Sequence, residues 1–258
     1  MKRVICPQLP KAHRPSTLSE DEANHAVRVL RLRDGDSVEA IDGQGHSTPA
    51  ILRIQGGITR LELATGATPR IEAANAIVPL VLEMAVLKGD AMEWVIEKAV
   101  ELGVHALCPV LTAHTVVQIK NKGPEAFQER WQKIADQALK QCGRLERLRI
   151  APPTELEQVI LNHPASARVP RYWCDEASVA SAPELQQKLG GALQYDEVRL
   201  LIGPEGGWSE EERGWLATSS EKVQLGPLIL RAETAALYGV SLLTAALRAS
   251  NRLTKTHG

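Results

Sequence analysis

Aromatic residues are scarce in this sequence: one Phe, and aromatics at 3% of 258 residues. Base stacking on a Phe- or Tyr-rich sheet is therefore a poor expectation for it. Cysteine is equally thin. Cys6, Cys108, Cys142 and Cys174 lie far apart, with no C-x-x-C pair and no His at metal spacing, so neither a disulfide framework nor a metal site is expected. Charge of one sign is also missing. A net charge of −1 disfavours a bulk-basic nucleic-acid binder but leaves room for a local electrostatic footprint. The longest uncharged apolar stretch, residues 234–247, falls short of the roughly 18 residues that span a bilayer. The N-terminal MKRVICPQLPKAHRP lacks the apolar run of a signal peptide. A reduced cytoplasm and no membrane are the resulting expectation.

What is present describes an ordinary globular chain, at 44% hydrophobic and 24% charged residues, long enough to bury a core unaided. Residues 1–70 read as a small β-rich unit. Ser19 with Glu22 forms a capping box for a helix bearing Ala23, Ala26, Val27 and Leu30. Short strand candidates follow at 37–41, 48–54 and 58–63, separated by Gly-rich turns, as in a little barrel. A linker is expected at 71–76. From residue 77 the pattern becomes strand, helix, strand, helix to the end, the signature of a mainly parallel sheet covered by helices. The run 77–87 (IVPLVLEMAVL) suits a strand buried on both faces. Asp90 with Glu93 is expected to cap the next helix and Gly103 to end it, and Pro124 opens a long amphipathic helix that Gly143 closes. The expected organisation is thus 1–70, a linker at 71–76, and an α/β domain over 77–258.

Three segments offer chemistry. A strand from Val198 runs into Gly203-Pro-Glu-Gly-Gly207, followed by a capping box at Ser209 and Glu212. It is neither a P-loop nor a dinucleotide fingerprint, and its acids at the helix start favour a ligand without phosphates; a plain tight turn is the alternative. The second, Leu225-Gly226-Pro227 through Leu228-Ile229-Leu230, delivers Arg231 and Glu233 to the start of the last helix. Arg231 could stabilise developing negative charge or simply pair with Glu233. The charge-free helix beyond suggests deep burial or a subunit interface. The third is a basic cluster of Lys2, Arg3, His25, Arg28, Arg31 and Arg33. With His25, Arg28 and Arg31 on one helix flank, it could position RNA phosphates. Residues 114–149 are also basic, with eight Lys/Arg against four acids, which is either a solvated helix face or a further footprint.

These motifs, together with His25…Val29-Leu-Arg31, Lys88…Glu97-Lys98…Glu101-Leu-Gly103 and Trp131…Gln141-Cys-Gly-Arg144, resemble the 16S ribosomal RNA uracil-N3 methyltransferase family (RsmE type). The resemblance covers nearly the whole chain in order. Two positions depart from the family pattern: His114 stands where members commonly carry Arg, and Leu148 where they commonly carry Pro. The resemblance implies an N-terminal PUA-like β-barrel and a C-terminal SPOUT domain threaded as a trefoil knot, a rare exception to unthreaded chains. It implies S-adenosyl-L-methionine held by Leu201, Ile202, Gly203, Pro204, Glu205, Gly206, Gly207, Leu225, Gly226, Ile229, Leu230, Thr234 and Ala235. It implies Arg231 and Glu233 as catalytic groups, with Arg144 meeting RNA from the other subunit of a homodimer. Lys2, Arg3, His25, Arg28, Arg31, Lys88 and Lys98 are the implied RNA contacts, and the partner is 16S rRNA in the small ribosomal subunit. Other members of the class methylate other bases or a ribose hydroxyl, and a catalytically silent assembly factor would keep the same fold.

Overall fold

The computed structural model describes residues 1–71, 78–117, 123–176, 182–189 and 195–255, and the chain divides into two compact units. The first comprises Met1–Ala74 with Asp136–Arg147; the second comprises Asn75–Ala135 with Leu148–Gly258. Apart from Ile71, the expected linker lies outside the described residues.

The first unit is built on a mostly antiparallel sheet. Its strands are β1 (Lys2–Ile5), β2 (Ser16–Thr17), β3 (Ser37–Ile41), β4 (His46–Gln55), β5 (Ile58–Leu63) and β6 (Arg70–Ile71). The order is β1-β3-β4-β5-β2, with β6 also paired to β4 and only β1–β3 parallel. Alternating residues of these strands (Val38 and Ala40, Ala50 and Leu52) close a core with Val4, Leu18 and Leu61. Ser19 caps α1 (Glu20–Asn24) by accepting from the Glu22 amide. The box is not completed, because the Glu22 carboxylate accepts from the Ile5 amide and pairs with Lys140 instead. The helix then becomes a π-helical turn over His25–Val29, and Arg31 takes a left-handed φ of 54°. The expected flank of His25, Arg28 and Arg31 is therefore interrupted: an i+5 turn resets the phase, leaving Val27 and Val29 exposed.

The second unit carries an all-parallel sheet. Its strands are β7 (Leu80–Ala85), β8 (Ala106–Leu111), β9 (Arg149–Ile150), β10 (Thr154–Glu155), β11 (Arg171–Cys174), β12 (Val198–Ile202) and β13 (Glu221–Val223). They lie in the order β10-β8-β7-β12-β11-β13, with β9 also on β8. β7 and β12 are adjacent central strands and buried at every residue, as strands covered on both faces must be.

One face is filled by Trp173, Leu201, Val110 and Trp208 with α4 (Leu156–Asn162) and α6 (Glu210–Ser219). The opposite side is packed by α2 (Asp90–Leu102) and α7 (Ala232–Lys255). The short helix α5 (Leu185–Lys188) also packs on α7, while α3 (Pro124–Cys142) belongs to the second unit up to Ala135 and to the first from Asp136. Met92, Val95, Ile96, Ala99 and Val100 form the buried stripe of α2, and Gly103 ends the helix at φ 87°. The expected cap at Asp90 is displaced by one residue. Gly89 occupies the N-cap at φ 56° and Asp90 is already helical, where its charge still suits the helix dipole. No helix among the described residues is long and apolar enough to cross a membrane.

Within the apolar run of β7 sits one charge. Glu83 is fully buried and accepts two bonds from Arg171 of β11 (2.7 and 3.0 Å) and one from Arg199 of β12 (2.7 Å). The register brings them together, since Arg171 lies opposite Arg199 and β12 runs beside β7. Arg199 also reaches Glu197 at the surface edge.

Candidate active site

Parallel sheets leave ligand crevices outside the carboxyl ends of their strands. In the second unit β11, β12 and β13 end together around a cavity of about 510 Å³, within the usual range for small-molecule sites. The end of β12 contributes Ile202, Gly203, Pro204, Glu205 and Gly207; the segment after β13 contributes Leu225, Gly226 and residues 228–231; β11 contributes Cys174, Asp175 and Glu176.

The glycine-rich loop is shaped by what lies against it. A Cβ on Gly203 would come within 2.8 Å of the Trp208 indole, a ring buried in the core and anchored by its Nε1–H donating to the Cys174 carbonyl at 2.8 Å. Gly207, at φ 69°, has the Glu176 carboxylate 2.0 Å from where a Cβ would stand. Its amide closes a turn onto the Pro204 carbonyl at 3.0 Å. The turn then enters α6 through the predicted capping box. Ser209 accepts from the Glu212 amide, and the Glu212 carboxylate accepts from the Ser209 amide.

The polar groups on the wall differ in how far they are engaged. Asp175, its side chain 1% exposed, accepts from Arg213 and from Lys222 at 2.9 Å. Arg213 also grips Glu176 and Glu210, and bonding to Asp175 in particular raises its pKa. Burial pushes the Cys174 thiol up to about 12, so it remains a neutral thiol rather than a nucleophile. Arg231 and Glu233 stand apart from this network. Both line the cavity, and neither side chain makes a hydrogen bond or ion pair among the described residues. The Arg231–Glu233 structural pair that sequence alone left open is not formed. Arg231 is exposed just before α7, and its carbonyl accepts the Ala235 amide in the first turn.

Of the sequence-derived ligand set, Ile202, Gly203, Pro204, Glu205, Gly207, Leu225, Gly226, Ile229, Leu230 and Ala235 line the cavity with Arg231 and Glu233. Leu201, Gly206 and Thr234 do not: Leu201 is buried in the sheet core, and Gly206 lies against His114. Arg144 lies in the first unit. Sequence reasoning missed the end of β11, with Cys174, Asp175 and Glu176, and also Gln224 and Ala91. Two acids directly after a short apolar strand were the available signal.

The basic residues divide in the same way. Arg3 is committed internally, to Glu39 at 2.8 Å and to the Lys140 carbonyl at 2.9 Å. Lys2 donates to the Leu30 carbonyl, and Lys98 pairs with Glu101 at 2.7 Å. Burial, together with the nearby Lys140 charge, lowers the His25 pKa, so at neutral pH this side chain is an uncharged imidazole. Arg28, Arg31 and Lys88 are exposed and carry no ion pair among the described residues.

Comparison with known proteins agrees with this architecture. Residues 74–244 match the RNA methyltransferase domain family and residues 18–52 the RNA methyltransferase PUA domain. The ribosomal RNA small subunit methyltransferase E of Bacillus subtilis is 28% identical over 239 residues, covering 88% of this chain and 89% of that protein. Its Synechocystis counterpart is 30% identical over 236 residues, covering 90% and 73%. A Legionella pneumophila protein assigned as a methyltransferase, solved in complex with the bound cofactor SAM, superposes with a TM-score of 0.83 at 26% identity, covering 95% of this chain and 97% of that one. The α/β fold of SPOUT type with a PUA-like unit, implied by the sequence motifs, is the fold observed.

Proposed function

Because the chain belongs to the RNA methyltransferase family whose members include ribosomal RNA small subunit methyltransferase E, we propose that it methylates N3 of a uridine in 16S rRNA, using S-adenosyl-L-methionine. The observation that carries this reading is the pairing of a glycine-rich cavity with an Arg and a Glu whose side chains make no hydrogen bond or ion pair among the described residues.

The cavity suits the cofactor on its own terms. Its walls are mainly apolar, from Ile202, Leu225 and residues 228–230, with Gly203, Gly207 and Gly226 also on the lining. Asp175 and Glu176 are taken up by Arg213 and Lys222, which leaves Glu205 and Glu233 against Arg231 on the lining and favours a ligand bearing positive charge over a phosphate. Residues 202–207 and 225–230 would hold it, joined by the end of β11. The bound cofactor supplies an electrophilic methyl group on a sulfonium. Threading of these three segments as a trefoil knot is part of the same reading. Gly203→Ala is expected to displace Trp208 and weaken cofactor binding by roughly tenfold or more, as overpacking of a tight site does; isothermal calorimetry reads this directly.

The chain's residues then act on the base. Uridine N3 sits between two carbonyls and must lose its proton for its lone pair to attack. Arg231 stabilises the negative charge that spreads onto O2 or O4, and Glu233 is placed to accept the proton or to orient Arg231. N3 is engaged in any Watson–Crick pair, so the base is presented unstacked. Over residues 234–247 the exposed face of α7, with Thr234, Tyr238, Ser241 and Ala245, carries no charge. With Leu228 and Ile229 more than 70% exposed, it supports a homodimer, across which Arg144 would meet RNA.

RNA phosphates fall to the unpaired cations. Arg28→Ala with Arg31→Ala should weaken rRNA binding at every sequence and flatten the slope of log K against log salt by about two. An unchanged slope in a filter-binding titration would remove this surface from docking. The reaction itself is tested by methyl transfer from labelled cofactor to unmodified small subunits, followed by nucleoside mass analysis. A single 3-methyluridine is the expected product. Another methylated nucleoside would redirect the substrate, and no transfer despite cofactor binding would indicate a silent assembly factor.

A further inference from the structure

His114 lies outside the motifs that define the cavity, and the structure gives it a definite task. It sits in the turn after β8. That turn is rigid: the Thr112 amide donates to Thr115 Oγ1 at 2.9 Å and the Thr115 amide to the Thr112 carbonyl at 3.0 Å. It is also tied to α6, because the Ala113 amide donates to Glu212 Oε1 at 2.8 Å. Glu212 is buried and its other oxygen closes the capping box. The turn is therefore fixed relative to the start of α6, and the glycine loop leans on it. His114 Nδ1 lies 2.9 Å from the Gly207 carbonyl. A carbonyl only accepts, so Nδ1 carries the proton and the tautomer is set by this contact. A Cβ on Gly206 would stand 3.0 Å from that of His114, so a side chain at position 206 would crowd the imidazole's approach.

We propose that His114 is a positioning residue for the cofactor loop. The Gly207 amide is held by Pro204 and its carbonyl by His114, so the 204–207 turn is fixed at both polar groups of its last residue. Cofactor then meets a preformed wall and need not order the turn on binding. An Arg at this position carries no donor close to the backbone in the place of Nδ1, so His114 is not simply a weaker cation substituted for one. The inference rests on the reading of the cavity as an S-adenosylmethionine site.

The test separates loop holding from RNA contact. His114→Ala should raise the dissociation constant for S-adenosylmethionine about tenfold, the scale of one lost hydrogen bond with its ordering cost. The KM for small ribosomal subunits should stay where it was, and saturating cofactor should recover turnover. His114→Asn, whose side-chain amide keeps a donor at the reach of Nδ1, should restore the affinity. Thermal melting of each variant controls for folding. Unchanged cofactor affinity in His114→Ala, or a well-folded His114→Asn that fails to restore it, overturns the proposal; a raised subunit KM alone would make His114 an RNA contact. Wild-type protein that does not bind S-adenosylmethionine overturns the cofactor reading itself, and this inference with it.

Discussion

Arg231→Ala is expected to lower methyl transfer to small ribosomal subunits by roughly 10²–10³-fold, the usual loss when one donor to a developing oxyanion is removed. Cofactor affinity should hardly move. Arg231 lines the cavity and is exposed, and no carboxylate restrains it among the described residues. Its removal therefore leaves no buried charge behind and should not cost folding stability. That combination makes the experiment clean: single-turnover rate and cofactor binding are read on the same folded protein. Arg231→Lys should recover only part of the rate, because an ammonium cannot present the planar pair of donors that a guanidinium brings to a carbonyl edge. If Arg231→Ala turned over normally, the anion would have to be stabilised elsewhere and Arg231 would have no part in the chemistry.

The second large effect concerns stability. Glu83→Gln should destabilise the second unit by roughly 3–5 kcal/mol, as expected when one partner of a buried ion cluster is removed. Two guanidiniums, Arg171 fully buried and Arg199 nearly so, share this one buried carboxylate in the sheet interior. Arg171 Nη1 and Arg199 Nε already lack a hydrogen-bond partner, and the acceptors left to the two guanidiniums, Glu197 and the His163 carbonyl, are already engaged. The triple change Glu83→Met, Arg171→Met, Arg199→Leu should be far milder than Glu83→Gln alone, since it removes the desolvation cost along with the attraction. Urea unfolding of the three proteins decides the matter. Equal losses in the single and triple variants would show that packing volume, rather than unpaired charge, sets the cost.

This cluster also shows where the sequence stops being readable. Glu83 stood in plain view inside IVPLVLEMAVL, yet its partners arrive 88 and 116 residues later, and no local pattern links them. The same distance concealed the end of β11. Asp175 and Glu176 join the glycine loop only because β11 and β12 pair in parallel. Signals that act within one turn of chain were legible. Ser209 and Glu212 form the capping box that their spacing foretold, Gly103 ends its helix in the left-handed region, and the stripe of α2 is buried as its period required. Local reading failed where tertiary demand overrode it. Glu22 left its box to serve Ile5 and Lys140, and a π turn took over the helix that should have aligned His25 with Arg31. The candidate site was half visible: most of the motif positions after β12 and β13 line the cavity, Gly206 and Thr234 do not, and geometry alone supplied the third side.

The pairing of β7 with β12 has a consequence for how the protein is made. Leu80 meets Val198, 198 − 80 = 118 residues further along the chain. At roughly 5–20 residues per second of synthesis, that is a wait of about 6–24 s. Throughout that interval one of the most apolar segments of the molecule has left the ribosome without its central neighbour. Such long-range parallel pairing also slows folding once the chain is complete, because loop closure must precede any reward from contact. A nascent chain of this design depends on transient shielding of β7, and fragments ending before Val198 are expected to aggregate rather than fold.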